Sequence, residues 1–224
     1  MLKDIFIGFL KDLFFPAFCL KCGLEGSFVC DKCFKSLQKM MTDRQISIPK
    51  NSPLDGIVTV YKYEDHSLPA RLIHSFKYDL IKELYRPLGR LMAERMNELL
   101  YLSGVVLCPV PLHKKRFKWR GFNQSDLLAK RVGTICGIGV IYPLKRIHFR
   151  IAQMELKRED RVKNIRGAFV IDKNFGEAML SLSGKSVFLV DDVATTLSTL
   201  NECALTLKNA GCKKVYAIVL ARVC

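Results

Sequence analysis

The stretch "VFLVDDVATTLSTL", residues 187–200, decides the fold of this chain. Four apolar residues come first, as in a buried strand, and two adjacent carboxylates, Asp191 and Asp192, follow them directly. We predict that the strand ends at Val190 and that residues 191–198 form a loop before the next helix. Two neighbouring negative charges oppose their own burial, so this arrangement requires either open water or a ligand that offsets them.

Strand and helix patterns alternate from residue 104 to the end of the sequence. Apolar strands unbroken by polar residues, alternating with helices, are typical of a parallel sheet covered on both faces. We therefore predict an α/β fold with a parallel sheet flanked by helices. The predicted strands are 104–111, 139–144, 167–171, 186–190 and 214–221, and the predicted helices include 121–137 and 198–211. Ligands of such sheets bind beyond the carboxyl ends of the strands, where we place three loops: 110–122, 191–199 and the turn after Ile171.

The length of 224 residues, with 50% hydrophobic and 25% charged residues, indicates one globular domain plus a small appendage and excludes a disordered chain. The Pro-containing stretch 42–56 reads as a linker, which predicts an N-terminal helix and cysteine ribbon over 1–50 and a larger domain over 51–224. The first 19 residues predict a short amphipathic helix rather than a signal peptide or membrane span. Packing against the protein's own core is the favoured interpretation of that helix, and attachment to a membrane surface is the alternative.

A compact group of four cysteines occurs in "CLKCGLEGSFVCDKC", residues 19–33. The spacing of Cys19, Cys22, Cys30 and Cys33 directs two pairs of thiolates at one centre, which predicts a closed, structural Zn2+ site. An iron–sulfur cluster or redox dithiols are the alternatives. Without a secretory signal, nine cysteines favour a reducing compartment such as the cytoplasm rather than a disulfide framework.

The formal net charge of +15 predicts a polyanionic partner, and charge alone does not choose among phosphates, nucleic acid and anionic lipid. An exposed aromatic ring among cations is how single strands are bound without sequence preference. Trp119, the only tryptophan, lies within such a basic segment, although this ring or that of Phe117 could equally belong to the core. The candidate nucleic-acid-binding residues are Lys114, Lys115, Arg116, Lys118, Trp119, Arg120, Arg158 and Arg161. For the last two, a solvated basic helix face is an equally weighted interpretation.

A ligand that carries both a phosphate and neighbouring hydroxyls would explain the acidic pair. The backbone N–H groups of residues 195–199 form an anion-binding turn at a helix N-terminus, and the two carboxylates accept hydrogen bonds from sugar hydroxyls. Mg2+ between the sugar and a pyrophosphate would lessen the carboxylate repulsion.

The segment 187–199 closely resembles the thirteen-residue phosphoribosyl pyrophosphate motif of type I phosphoribosyltransferases. The resemblance implies that fold, and it implies that Asp191 and Asp192 position the ribose during catalysis with Mg2+. The implied phosphoribosyl-pyrophosphate-binding residues are Asp191, Asp192, Ala194, Thr195, Thr196, Leu197, Ser198 and Thr199. The implied pyrophosphate loop is Val110, Pro111, Leu112 and His113, with His113 alternatively a general acid or simply exposed. The sequence departs from the motif at Leu197, where the family usually has glycine.

Taken together, "CPVPLHKKR", "RGFNQSDLLAK", "RIAQMELKREDRVKNIRGAFV", the acidic motif and the cysteine ribbon resemble the ComF family of competence proteins. The resemblance implies a cytoplasmic protein that assists the use of imported single-stranded DNA in natural transformation. Two function classes stay open: a phosphoribosyltransferase and a non-catalytic single-stranded-DNA-binding module. A scaffold that recruits a helicase or an inner-membrane DNA channel through the ribbon is a third, weaker interpretation.

Overall fold

In the computed structural model, the described residues are 16–42, 46–47, 50–98, 104–147, 167–173 and 182–223. The chain divides into two compact units, residues 1–41 and residues 42–224. The predicted boundary between the two domains, near residue 50, stays a prediction. The helix predicted for the first residues, together with Arg158 and Arg161, lies outside the described residues.

The smaller unit consists of a turn-rich segment followed by helix α1, Asp31–Lys39. The amide of Gly23 donates to the carbonyl of Cys19 at 2.8 Å, and a single antiparallel bridge joins Phe18 and Glu25. Gly23 has a φ of 73°, a left-handed conformation that glycine adopts without steric penalty. Helix α1 begins directly after Cys30, so two of the four cysteines lie at the end of this turn segment and at the start of a helix.

The larger unit is built on a five-stranded sheet in the order β1-β2-β7-β6-β3. The strands are β1 (Ile46–Ser47), β2 (Gly56–Lys62), β3 (Val105–Pro109), β6 (Ser186–Ala194) and β7 (Lys214–Arg222). Strands β2, β7, β6 and β3 run parallel, and β1 adds antiparallel to β2 at the edge. The apolar residues of β6 and β7 are almost fully buried, as expected of central parallel strands.

Five helices accompany this sheet in the described residues. They are α2 (Leu68–Lys77), α3 (Tyr85–Asn97), α4 (Lys114–Arg120), α5 (Gln124–Cys136) and α6 (Ser198–Asn209). Helix α5 packs on β3, β6 and α3, whereas α6 packs on β6, β7 and a short strand, β5 (Phe169–Ile171). The predicted start of α5 is confirmed, because the side chain of Asn123 caps it by accepting from the amide of Ser125 at 3.2 Å. The α/β fold with a parallel sheet flanked by helices is thus confirmed.

Two short strands depart from the prediction. Strand β4 (Leu144–Arg146) pairs antiparallel with β5 (Phe169–Ile171) in a separate two-stranded sheet. The segment predicted as a strand over 139–144 touches the main sheet only through one bridge between Val140 and Leu107. Pro143 has no amide to donate to a ladder, which explains why this short apolar run does not continue as a sheet strand.

Two predicted loops are also wrong. Strand β6 does not end at Val190, because it continues through the acidic pair and pairs with β7 as far as Ala194. The segment predicted as a loop over 110–122 contains helix α4, which His113 caps at its start and left-handed Gly121 ends. None of the helices in the described part of the chain is both long and apolar enough to cross a membrane.

Candidate functional site

The acidic pair lies at the carboxyl end of β6, the edge where α/β sheets bind ligands. Asp191 Oδ1 accepts two hydrogen bonds, from Ser125 Oγ at 2.8 Å and from the amide of Asp192 at 2.9 Å. Burial raises the pKa of Asp191 to about 7, and the negative charge of Asp192 acts in the same direction. The surroundings of Asp191 therefore disfavour the ionised form of its carboxyl group.

Lys77, the last residue of α2, forms a close contact with Asp192. Its Nζ lies 2.8 Å from Asp192 Oδ1, and both side chains are largely buried. Burial lowers the pKa of Lys77, but the contact with Asp192 more than offsets this, so the pKa lies above its ordinary value. Lys77 is therefore protonated at neutral pH, and its ammonium lies against the carboxylate of Asp192.

A cavity of about 180 Å3 opens in front of the acidic pair. Its lining includes Val110, Pro111, Leu112, Arg116, Arg120, Asp191 and Asp192 of the predicted site residues. Among the described residues, four cationic side chains line it: Lys77, Arg116, Arg120 and Arg146. Because these outnumber the two carboxylates, the cavity suits an anionic ligand that also offers hydroxyl groups.

Three buried donors at this cavity have no hydrogen-bond partner within the described residues: Arg120 Nε, Gln124 Nε2 and Arg146 Nε. Gln124 is only 2% exposed and Arg120 only 9% exposed. A buried donor without a partner is unfavourable by about 1–3 kcal/mol, so folded proteins rarely leave several together. Their concentration at one cavity points to an acceptor that binds there.

A second, smaller cavity of about 40 Å3 lies over residues 194–199. Asp191, Val193 and Thr199 line both cavities, so the acidic pair adjoins this turn directly. The turn leads into α6, whose first amides give it the character of a helix N-terminus. The predicted residues Ala194, Thr195, Thr196, Leu197, Ser198 and Thr199 all line it.

Leu197 takes up the backbone conformation for which the motif usually has glycine. Its φ of 59° lies in the left-handed region, while its side chain packs against the core of the larger unit. The turn therefore forms with leucine in place, at a conformational penalty of about 1 kcal/mol.

His113 contacts its own helix rather than the larger cavity. Its Nδ1 accepts a hydrogen bond from the amide of Lys115 at 3.1 Å. Partial burial lowers the pKa of His113, and the positive charges of Arg146 and Lys115 lower it further. A neutral imidazole that accepts at Nδ1 carries its proton on Nε2, which makes it a donor and a poor general acid at neutral pH.

The exposed face of α4 carries most of the remaining predicted nucleic-acid-binding residues. Lys114, Lys115, Lys118 and Trp119 are all exposed, as is Phe117. Arg120 differs from them, because it is buried and lines the cavity of the acidic pair. Neither aromatic ring of this helix belongs to the core.

In the smaller unit, the Sγ atoms of Cys19, Cys22, Cys30 and Cys33 all lie within 4.8 Å of one another. Burial would raise the pKa of Cys19, but hydrogen bonds from the backbone of Cys30 and Cys22 outweigh it and lower the pKa to about 6. Four sulfurs at this spacing fit a tetrahedral zinc ion.

The acidic pair fits Mg2+ less directly than the four cysteines fit zinc. Carboxylate oxygens are good Mg2+ ligands. The ammonium of Lys77 nevertheless contacts the carboxylate of Asp192, and three guanidinium groups line the same cavity. These residues therefore fit Mg2+ that arrives bound to a pyrophosphate rather than Mg2+ held by the protein's carboxylates alone.

Several residues of the site carried no recognisable sequence signal. Lys77 and Tyr78 end a helix far from the motif, and Arg146 lies on β4, outside the main sheet. Gln124 and Ser125 stand at the start of α5, where the sequence indicated a helix cap and a family resemblance but no role at the site.

The sequence of this chain is similar to those of known proteins over most of its length. No protein-family model matches the chain. Competence protein F of Haemophilus influenzae is 28% identical over 211 residues, which span 93% of this chain and 85% of that protein. The DNA utilization protein YhgH of Salmonella typhimurium is 29% identical over 210 residues, 91% of this chain and 83% of that protein.

Among solved structures, the chain matches glutamine phosphoribosylpyrophosphate amidotransferase from B. subtilis in complex with ADP and GMP. That match has a TM-score of 0.40 and 17% identity, and it covers 61% of this chain and 26% of the amidotransferase. The matches to the relatives, in contrast, cover 93% and 91% of this chain. They confirm the resemblance of this chain to the ComF family of competence proteins.

Proposed function

We propose that this chain binds phosphoribosyl pyrophosphate, or a closely related pentose phosphate, and uses it in the handling of single-stranded DNA. One observation carries the proposal. The acidic pair of β6 adjoins a helix N-terminal turn and a cavity whose arginine Nε donors, on Arg120 and Arg146, have no partner among the described residues. A pentose that carries phosphates at both ends has acceptors and hydroxyls in that same order.

Each part of the ligand then has its own residues. The 5-phosphate binds to the amides of the turn over 195–199, and the ribose hydroxyls donate to Asp191 and Asp192. The pyrophosphate faces residues 110–112 together with Arg116, Arg120 and Arg146, and it brings its own Mg2+. The carboxylates also favour the positive charge that develops on the sugar when pyrophosphate departs, which is the chemistry of phosphoribosyl transfer.

Calorimetric titration with ribose 5-phosphate, and with phosphoribosyl pyrophosphate plus Mg2+, tests this proposal. We expect Asp191→Asn to weaken both ligands at least tenfold, because the amide cannot accept both sugar hydroxyls and the bond from Ser125. Asp126→Asn is the matched control, since Asp126 pairs with Lys130 away from the cavity. Equal affinities of the two variants, or binding of orthophosphate as tight as that of the sugar phosphates, would contradict the assignment.

Single-stranded DNA binding is the second candidate, and the exposed face of α4 favours it. Lys114, Lys115 and Lys118 lie on the same short helix as two exposed aromatic rings, an arrangement that suits backbone phosphates and unpaired bases together. The relatives' names, a competence protein and a DNA utilization protein, support the same assignment. We place this role in the cytoplasm, with a helicase or an inner-membrane DNA channel as the partner class. In this reading the pentose phosphate site is either catalytic or a sensor.

We also propose that the four-cysteine cluster holds one structural zinc ion. Elemental analysis of the native protein then gives one zinc per chain, and Cys30→Ser loses the metal together with the protease resistance of the smaller unit. Cys136→Ser is the control, because Cys136 lies outside the cluster. Full zinc content in Cys30→Ser, or iron in place of zinc, would refute the assignment.

A further inference from the structure

Two large aromatic side chains stand exposed beside the acidic-pair cavity. Tyr78, directly after α2, is 55% exposed, and Trp119 of α4 is 58% exposed. Their ring centroids lie 6.5 Å apart and the ring planes meet at 53°. The two rings come from helices that are distant in sequence, so the pairing is a product of the fold.

Arg120 contacts both rings of this pair. Its guanidinium carbon lies 5.7 Å from the ring centroid of Tyr78 and 5.6 Å from that of Trp119. Both distances are within the range of cation–π attraction. We call Tyr78, Trp119 and Arg120 the aromatic platform.

Single exposed aromatic residues are ordinary on protein surfaces. This pair differs, because Arg120, whose guanidinium lies within cation–π range of both rings, is a nine-tenths buried residue whose Nε has no partner within the described residues. Two exposed rings in contact with such a cation suit a ligand that is flat, polarizable and electron-rich.

The platform is continuous with the site of the proposed function. Tyr78 and Arg120 both line the cavity that also contains Asp191 and Asp192. A pentose whose hydroxyls contact the acidic pair therefore has the platform as the next surface available to a substituent. A nucleobase is the flat substituent that pentose phosphates carry.

We propose that the aromatic platform is a base subsite, so that the complete ligand is a nucleotide with an unpaired base. The inference rests on the proposed pentose phosphate site and names its ligand class. Stacking on a π-face tolerates every base, so the subsite recognises the absence of pairing rather than the sequence. A free nucleoside 5-phosphate and the phosphorylated end of a single strand both present this chemistry.

The single tryptophan makes the test site-specific, because Trp119 is the sole source of tryptophan emission in the chain. We expect uridine 5-monophosphate to quench this emission and to bind about tenfold more tightly than ribose 5-phosphate, which is a typical gain from one stacked base. Ribose 5-phosphate is expected to bind without quenching, since it has no ring.

Variants separate the base subsite from the sugar subsite. Tyr78→Leu keeps the fluorescent reporter and should lose about tenfold in affinity for the nucleotide, with ribose 5-phosphate unaffected. Trp119→Leu, followed by calorimetry, should do the same. Tyr142→Leu is the matched control, because Tyr142 is an exposed aromatic residue that does not line the cavity. A 5-phosphorylated oligothymidylate that displaces the nucleotide, where the unphosphorylated strand does not, identifies a strand end as the source; displacement by neither identifies the free nucleotide.

Two outcomes would overturn the inference in distinguishable ways. If ribose 5-phosphate binds and the nucleotide binds no more tightly and leaves the emission unchanged, the base subsite is wrong while the pentose phosphate site stands. If neither ligand binds, both proposals fail together.

Discussion

Replacing Lys77 with methionine is expected to lower the free energy of unfolding by about 3 kcal/mol, as is typical when one partner of a buried ion pair is removed. Methionine keeps most of the apolar stem but leaves Asp192 without the ammonium that lies 2.8 Å away. The side chain of Asp192 is only 10% exposed and stands next to a second carboxylate, so water compensates it poorly. Chemical denaturation at neutral pH and fixed ionic strength measures the loss.

The matched control is Lys130→Met. Lys130 makes an ion pair of similar length, 2.9 Å to Asp126, but its side chain is 59% exposed, so we expect a loss below about 0.5 kcal/mol. Adding Asp192→Asn to the Lys77→Met variant should restore most of the stability, because the uncompensated charge disappears. Equal losses for Lys77→Met and Lys130→Met would show that burial of the ion pair is not the cause.

Asp191→Asn is expected to act in the opposite direction on stability. Burial first, and the charge of Asp192 second, raise the pKa of Asp191 from 3.8 to about 7. The folded state therefore binds this proton more tightly than the unfolded state does, and the contribution of Asp191 to stability is greatest below pH 4 and declines as the pH rises through 7. Asparagine keeps an acceptor for Ser125 and never ionises.

The variant should accordingly be more stable than the native protein by about 2 kcal/mol at pH 8, with the difference vanishing near pH 4. Thermal unfolding at the two pH values checks this. A variant that is less stable at both would mean that Asp191 is retained for packing. Gained stability together with lost ligand affinity is what a carboxylate retained for binding predicts.

The architecture was predictable wherever local chemistry and burial agree. The apolar runs of β6 and β7 are central parallel strands, and the caps at Asn123 and Gly137 bound α5 as the sequence indicated. The cysteine spacing likewise predicted a cluster that the structure contains. In each of these cases the residues of one short segment are sufficient to predict the local structure.

The wrong predictions concern segments whose structure depends on residues far away in the sequence or on short polar elements. Polar residues marked the end of β6, yet β7 is long enough to pair with it beyond Asp191. Residues 110–122 read as a basic loop, but His113 and Gly121 supply the ends of a short helix there. Hydrophobic periodicity does not detect such elements, because α4 is formed almost wholly of charged and aromatic residues.

The same reason explains the missing site residues. Lys77 and Arg146 contribute charge from elements that only the fold brings to the acidic pair. At Leu197 the sequence showed a departure from the glycine of the motif but not its consequence. The structure shows that leucine adopts the required left-handed conformation and that its side chain joins the core.

A crystal structure of the protein soaked with Mg2+ and phosphoribosyl pyrophosphate tests the central claim most directly. The account predicts the 5-phosphate on the amides of the turn over 195–199, both ribose hydroxyls on Asp191 and Asp192, and the pyrophosphate against Arg116, Arg120 and Arg146. An empty turn at saturating ligand, or a sugar bound anywhere else, would contradict it.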